Sequence, residues 1–326
     1  MKTFALVVIV AASVAIPQGP PREALRPAGV IPLPGVDGRF DHLAVDLKTR
    51  RLFIAALGHD TMEVVDLAGL KVMKSVAGLH EPQGIAFLPD TNRVVVANGG
   101  DGAAVFFDAG SLAVAATAKL SGDADNVRYD SAARRVHVGY AGGALAELDV
   151  DGRMLSTTPL AAHPESFQLE SRGPRIFVNV PSAGHIAVVD RVKHAVTATW
   201  PVTAARANYP MALDEPHHRL YVGCRNPARL LVYDTDTGRL VTTVDIVGDT
   251  DDLFYDAAAQ RLYVMGGEGF VTVLQRDGDR YALIQRLATA AGARTGLFVP
   301  ELARLFVAVP HRGSQGAEIR VYETVN

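Results

Sequence analysis

The sequence predicts an all-β fold, a seven-bladed β-propeller of four-stranded blades whose ring is closed by an N-terminal strand. Three observations predict it. An Arg that opens a strand recurs at Arg51, Arg93, Arg135, Arg175, Arg219, Arg261 and Arg304, at separations of 42, 42, 40, 44, 42 and 43 residues. A fixed period of that size marks a repeat architecture. The runs after those arginines, such as Val94-Val-Val-Ala97, Ile176-Phe-Val-Asn179 and Leu305-Phe-Val-Ala308, are β-branched and aromatic and are bounded by Gly, Pro, Asp and Asn. No segment carries apolar residues at i, i+3, i+4 over a dozen positions, which argues against a helical solenoid.

The N-terminus comes first and differs in kind. Lys2 precedes the apolar run Phe4–Ala12, and small residues follow at Ser13 and Ala15. This pattern predicts a signal peptide over residues 1–15, because the run is too short to span a bilayer and its end suits signal-peptidase cleavage. Export to a bacterial periplasm or beyond is therefore expected, with no transmembrane span in the mature chain. No Cys lies near the cleavage point, which argues against a lipoprotein. Residues 16–29, with four prolines, are expected to be a flexible lead-in.

The propeller is expected to occupy residues 30–326 as one domain. Each unit opens with a strand, a polar turn and the anchor Arg with a second strand. The clearest copy runs from Met211 through Asp214 and Arg219 to Val222, and close relatives run from Leu43 to Ile54 and from Leu253 to Val264. A Gly-bearing turn follows, as at Gly99-Gly-Asp-Gly102 and Gly266-Gly-Glu-Gly269. A third strand then ends in Asp66, Asp108, Asp149, Asp190 or Asp234. Asp and Gly supply the capped or left-handed backbone that a tight turn needs. A fourth strand such as Arg239–Val244 completes a blade. The blades fall at about 40–78, 82–120, 124–160, 164–202, 208–247, 250–288 and 294–326. The seventh stops after three strands. Residues 30–34 are expected to supply its fourth, with Pro32 and Pro34 tolerated because an outermost strand needs fewer donors.

Composition narrows the function. The net charge of −3 provides no global attraction to nucleic acid or anionic membrane. Cys224 is the one cysteine, so an intramolecular disulfide is impossible and no CxxC motif exists. There is no GxSxG elbow, P-loop, HxxxH or HExxH spacing.

The D…R-[LI]-[YF]-V anchor, the x-V-x-D third strand and the turn Asp234-Thr-Asp-Thr-Gly-Arg-Leu-Val241 resemble the YVTN-repeat, YncE-like family over about residues 30–326. The resemblance is closest in blades one, five and six and looser in blades two to four, where Arg172-Gly-Pro replaces the usual turn. It implies an exported bacterial seven-bladed propeller. The family is defined by its repeat and not by a catalytic motif, so the resemblance leaves activity open.

Candidate chemistry gathers on one face. The loops leading into first strands and the loops joining second to third strands share it, and they carry His42, His59, His80, His163, His185 and His311. Aligning the blades on the apolar residue of each first strand gives a column two residues earlier of Asp41, Gln83, Asp125, Glu165, Tyr209, Asp251 and Thr295. The residues one earlier are His42, Gly84, Asn126, Ser166, Pro210, Asp252 and Gly296. The first column is polar in every blade. Together with Arg39, Arg206 and Arg294 it predicts a polar channel mouth. Capping of local backbone by the same Asp and Asn residues explains any single member equally well. The loop Pro310–Gly316 would add His311 and Arg312. The candidate ligand residues are Asp41, His42, Gln83, Asp125, Asn126, Glu165, Tyr209, Asp251, Asp252, Arg294, His311 and Arg312.

Three classes of function follow. The first is a binding protein for an unidentified small molecule, glycan or envelope protein. The second is a metal-assisted, lactonase-like hydrolase in which Asp41, His42 and Asp251 hold a divalent cation, the implied cofactor. The third is nucleic-acid binding through Arg39, Arg206, Arg225, Arg229, Arg294 and Arg312 with Tyr209. The acidic column argues against it, because carboxylates at the same mouth repel phosphates.

Overall fold

The computed structural model describes residues 23–325. The expected signal peptide, and residues 16–22 of the expected lead-in, lie outside the described residues. The chain forms seven sheets of four antiparallel strands each, and in six of them the strands are neighbours in chain order. Blade one is Leu43–Asp46, Arg51–Ala56, Thr61–Asp66 and Lys71–Ala77. Blades two to six repeat the pattern, starting at Pro82, Ala124, Phe167, Arg206 and Thr250. Among the described residues no helix is long and apolar enough to cross a membrane.

Blade seven joins the two ends of the chain. Its strands are Gly296–Val299, Arg304–Val309, Glu318–Thr324 and, outermost, Leu25–Pro32. The closing strand thus begins five residues before the expected 30–34, and residues 25–29 are strand, not lead-in. Two contacts explain the extra length. The Ala24 and Leu25 amides donate to Gln285 Oε1 at 2.9 and 2.8 Å, and Gln285 Nε2 donates back to the Leu25 carbonyl. Leu25 and Ile31 are fully buried between the blades. Pro27 and Pro32 are tolerated because the strand is outermost and has a partner on one side only.

The core is a ring of seven apolar clusters, one at each junction of neighbouring blades. Alternation along each strand sends one set of side chains to each neighbour. Trp200 belongs to the junction of blades four and five, with its ring 5.3 Å from Phe177 and 6.3 Å from Tyr233.

The repeated motif is turn and clasp chemistry. Each Asp that ends a third strand accepts the backbone N–H groups of the following turn: Asp66 from Ala68, Asp108 from Ser111, Asp149 from Asp151, Asp190 from Val192 and Asp234 from Thr237. Most anchor arginines reach the next blade. Arg51 donates to the Ala109 carbonyl, Arg93 to Val150 at 2.6 Å, Arg175 to Thr235, and Arg261 to Val325, while Arg219 pairs with Asp279. Arg135 and Arg304 instead pair within their own blades, with Glu147 and Glu323. The departure at Arg172-Gly-Pro has its own clasp. Glu215 of blade five accepts the Ser171 and Arg172 amides at 2.8 and 2.9 Å.

Candidate functional site

Every first strand starts at one mouth of the central channel, so residues at or just before its start reach the axis. Six of the seven aligned polar residues come together there, one from each of six blades: Asp41, Gln83, Asp125, Glu165, Tyr209 and Asp251 line a cavity of about 280 Å³. Thr295, the seventh, does not line it. It is buried, and its hydroxyl donates to the Phe40 carbonyl beside blade one at 3.5 Å, so at that blade the position ties neighbouring blades together. From the adjacent column His42, Asn126 and Ser166 join the lining. Gly84 stands in that column for a steric reason: a Cβ there would lie 2.0 Å from the Asp125 carbonyl oxygen of the next blade.

Several expected members sit elsewhere. Asp252 does not line the cavity. It is buried, holds His42 Nδ1 at 3.2 Å and accepts the Gly296 amide at 2.9 Å. His311 and Arg312 stay on their exposed loop, outside the cavity lining. His311 pairs with Asp37 at 2.9 Å, and the Arg312 guanidinium covers Gly292. Arg206 is drawn away because its strand pairs with Asn226 at another part of the surface.

The candidate ligand residues omitted Asp123, His163 and Arg225, although His163 was placed on the same face and Arg225 in the arginine arc, and all three line the cavity. A signal was available for two of them. Residues two before the polar column are Arg39, Glu81, Asp123, His163, Ala207, Asp249 and Ala293. Five of these are charged or imidazole-bearing, and Arg39, Asp123 and His163 reach the cavity. Arg225 carries no such mark, because it ends a second strand. Its guanidinium stacks on the Tyr209 ring at 3.9 Å, a cation–π contact. Tyr209 is held by its backbone: its carbonyl accepts Asn179 Nδ2 at 2.9 Å.

The mouth has two unlike edges. Blades five, seven and one bring arginines that are largely spoken for, and blade six brings Asp251. Asp251 takes Arg225 at 2.6 Å on one oxygen and Arg294 at 3.0 Å on the other. Arg39 is the exception, with a half-exposed side chain whose contact to Asp41 is 3.8 Å. Blades three and four bring Asp123, Asp125, His163 and Glu165; His163 pairs with Asp123 at 3.7 Å and Asp125 at 3.6 Å, and among the described residues no arginine forms an ion pair with them.

Burial dominates the titrations on both edges. Burial raises the Glu165 carboxyl well above the usual range, and the nearby Asp125 and Asp251 charges raise it further. Burial does the same to Asp41, with Asp125 and Asp251 adding to the rise and His42 and Arg39 opposing it. Burial alone would lower His42, but Asp252 and Asp41 outweigh it and raise the imidazole to about 10. One residue beyond Val127, Arg128 is also enclosed, and burial lowers it although Asp252 and Asp125 pull the other way. Its guanidinium donates to Ser166 Oγ at 3.2 Å, so that hydroxyl is bound to a cation and not to an imidazole base.

Asp41, His42 and Asp251 do not form a cation cage. Asp251 is occupied by two guanidiniums, and both ring nitrogens of His42 face carboxylates, Asp252 at 3.2 Å and Asp41 at 3.6 Å. Asp125, His163 and Glu165 offer another grouping, with ligand-type atoms all within 4.8 Å of one another. Cys224 is fully buried, and burial pushes its thiol up to about 12, which leaves it inert.

No family model matches the chain, and no curated protein sequence matches it. Solved structures do match. A chain from a crystal structure of the mitotic checkpoint complex superposes with a TM-score of 0.79 at 14% identity, covering 98% of this chain and 99% of that one. A chain of the hydrazine synthase of Kuenenia stuttgartiensis gives a TM-score of 0.76 at 14% identity, covering 90% of this chain and 99% of that one. At such identity the likeness is one of fold.

Proposed function

We propose that this chain is an exported recognition propeller of the YVTN-repeat kind whose channel mouth binds a small zwitterionic ligand. One observation carries the reading: the division of the cavity into an edge on blades three and four, where three carboxylates share the single imidazole of His163, and an opposite edge with the under-used guanidinium of Arg39. A positive group on the ligand relieves the crowding of Asp125 and Glu165, and a negative group meets Arg39. The concave, polar cavity supports a small molecule over a glycan or a protein segment, which would engage the rim where His311 and Arg312 stand. Export rests on the N-terminal apolar run alone, and family membership rests on the repeat motif.

A screen of thermal stability against small zwitterions, acids and amines tests this reading. A ligand at a hundred times its dissociation constant adds about 2.7 kcal/mol to stability. The expected result is a hit whose effect disappears in both Glu165→Gln and Arg39→Ala. If the full set leaves the melting temperature unmoved, the reading fails. Export is checked by the N-terminal mass of the protein recovered from its native host, which is expected to start after Ala15.

A metal-assisted hydrolase is the second reading, favoured by the grouping of Asp125, His163 and Glu165. A divalent ion held there supplies a bound water acidified to about pKa 7. Hydrolysis of a lactone or ester panel by the wild type, absent in Glu165→Gln, would move the assignment from recognition to catalysis.

A further inference from the structure

We propose that Asp125, His163 and Glu165 form a binding site for a divalent cation of the zinc class, and that Asn126 serves as its buried supporting group. The inference rests on reading the mouth as a ligand site and deepens it by naming one ligand.

The spacing fits such an ion. His163 Nε2 lies 3.6 Å from Asp125 Oδ2. A tetrahedral ion bound at about 2.0–2.2 Å sets neighbouring ligand atoms roughly 3.4 Å apart. Glu165 completes the group within 4.8 Å, so a small side-chain rotation closes it. Among the described residues its carboxylate has no hydrogen bond or ion pair that such a rotation would break.

The surroundings are those of a ligand set. His163 Nδ1 meets the Ala141 carbonyl at 2.6 Å. Donation of that N–H to a backbone carbonyl fixes the tautomer and aims Nε2 at the carboxylates, the arrangement found behind metal-bound histidines. Asn126 Nδ2 donates to Asp125 Oδ1 at 3.2 Å, which leaves Oδ2 toward His163. Asn126 is 3% exposed and lines the same cavity, yet its Oδ1 has no hydrogen-bond partner. A buried carbonyl oxygen without a donor is costly, and this one sits on the residue that orients Asp125. One imidazole among the donors selects the metal: calcium and magnesium prefer all-oxygen shells, whereas nitrogen and oxygen together suit zinc.

Calorimetric titration of the metal-stripped full chain with zinc, and separately with calcium, tests the site without any organic ligand. The expected result is one zinc per chain, bound at least about 100-fold tighter than calcium. His163→Ala and the near-isosteric Glu165→Gln should each weaken zinc by about 100-fold, while His218→Ala, an exposed imidazole far along the blade, leaves it unchanged. Circular dichroism confirms that both site variants fold. Absence of stoichiometric zinc overturns the inference, as does zinc binding that survives both site variants. A zwitterion that still stabilises the chain in EDTA, when zinc does not bind, overturns the metal site alone and leaves the recognition reading standing.

Discussion

His42 Nδ1 lies 3.2 Å from Asp252 Oδ1, so an imidazole of blade one and a carboxylate of blade six meet although blade seven stands between them in the ring. The contact locks two non-adjacent blades at the channel. Breaking it by Asp252→Ala leaves a buried imidazolium and should cost about 3 kcal/mol near pH 6. The folded pKa of His42, about 10, lies above the unfolded value near 6.5. Its stabilisation is therefore complete below about pH 6.5 and is lost as pH rises toward 10. Urea unfolding of wild type and variant at pH 6, 8 and 10 should show the gap narrowing. An equal gap at all three would contradict the pairing.

His137 behaves in the opposite sense. It sits buried in the second strand of blade three, and burial lowers its pKa to about 4. The unfolded chain then binds a proton that the folded chain refuses, so stability is complete above about pH 6.5 and falls as pH drops toward 4. The loss from this one group is about 3 kcal/mol. His137→Leu should flatten the acid limb of a stability–pH curve, and parallel curves for the two proteins would sink the assignment.

The anchor arginines should not be equal. Arg175 holds Glu170 at 2.6 and 3.0 Å and clasps the Thr235 carbonyl of blade five. Arg175→Ala strands a buried carboxylate and should cost about 3 kcal/mol. Arg304 pairs within its own blade with Glu323 at 3.6 Å, both side chains about one-third exposed, so Arg304→Ala should cost under about 1 kcal/mol. Denaturant midpoints for the two variants compare them directly.

Gly84→Ala links fold to site. The new Cβ would lie 2.0 Å from the Asp125 carbonyl and 2.8 Å from the Val127 amide nitrogen. The inner strands of blades two and three must part, at a cost of about 2 kcal/mol. Displacement of Asp125 should also weaken any ligand of the mouth, seen as a smaller thermal shift at fixed ligand concentration.

The repeat made the ring legible in the sequence, because the turn Asp and clasp Arg must recur at a fixed spacing for each blade to meet the next. The polar column was legible for the same reason, as alignment on Leu43, Ile85, Val127 and their equivalents carries the channel-facing position round the ring. Pairing was not legible. Asp251 resembles Asp125 in the column, yet Arg225 and Arg294 occupy it while Asp125 meets His163. Those partners come from different blades and leave no local spacing. The early start of the closing strand was hidden likewise, since Gln285, which holds Leu25, is 260 residues away in the chain.

The most direct test of the account is a crystal structure of the full chain grown with zinc and the strongest zwitterionic hit. The account predicts metal density among Asp125, His163 and Glu165, with the organic ligand's anionic group at Arg39 and its cationic group displaced from that edge by the ion. Both ligands lying outside the channel mouth, with the mouth holding water alone, would contradict it.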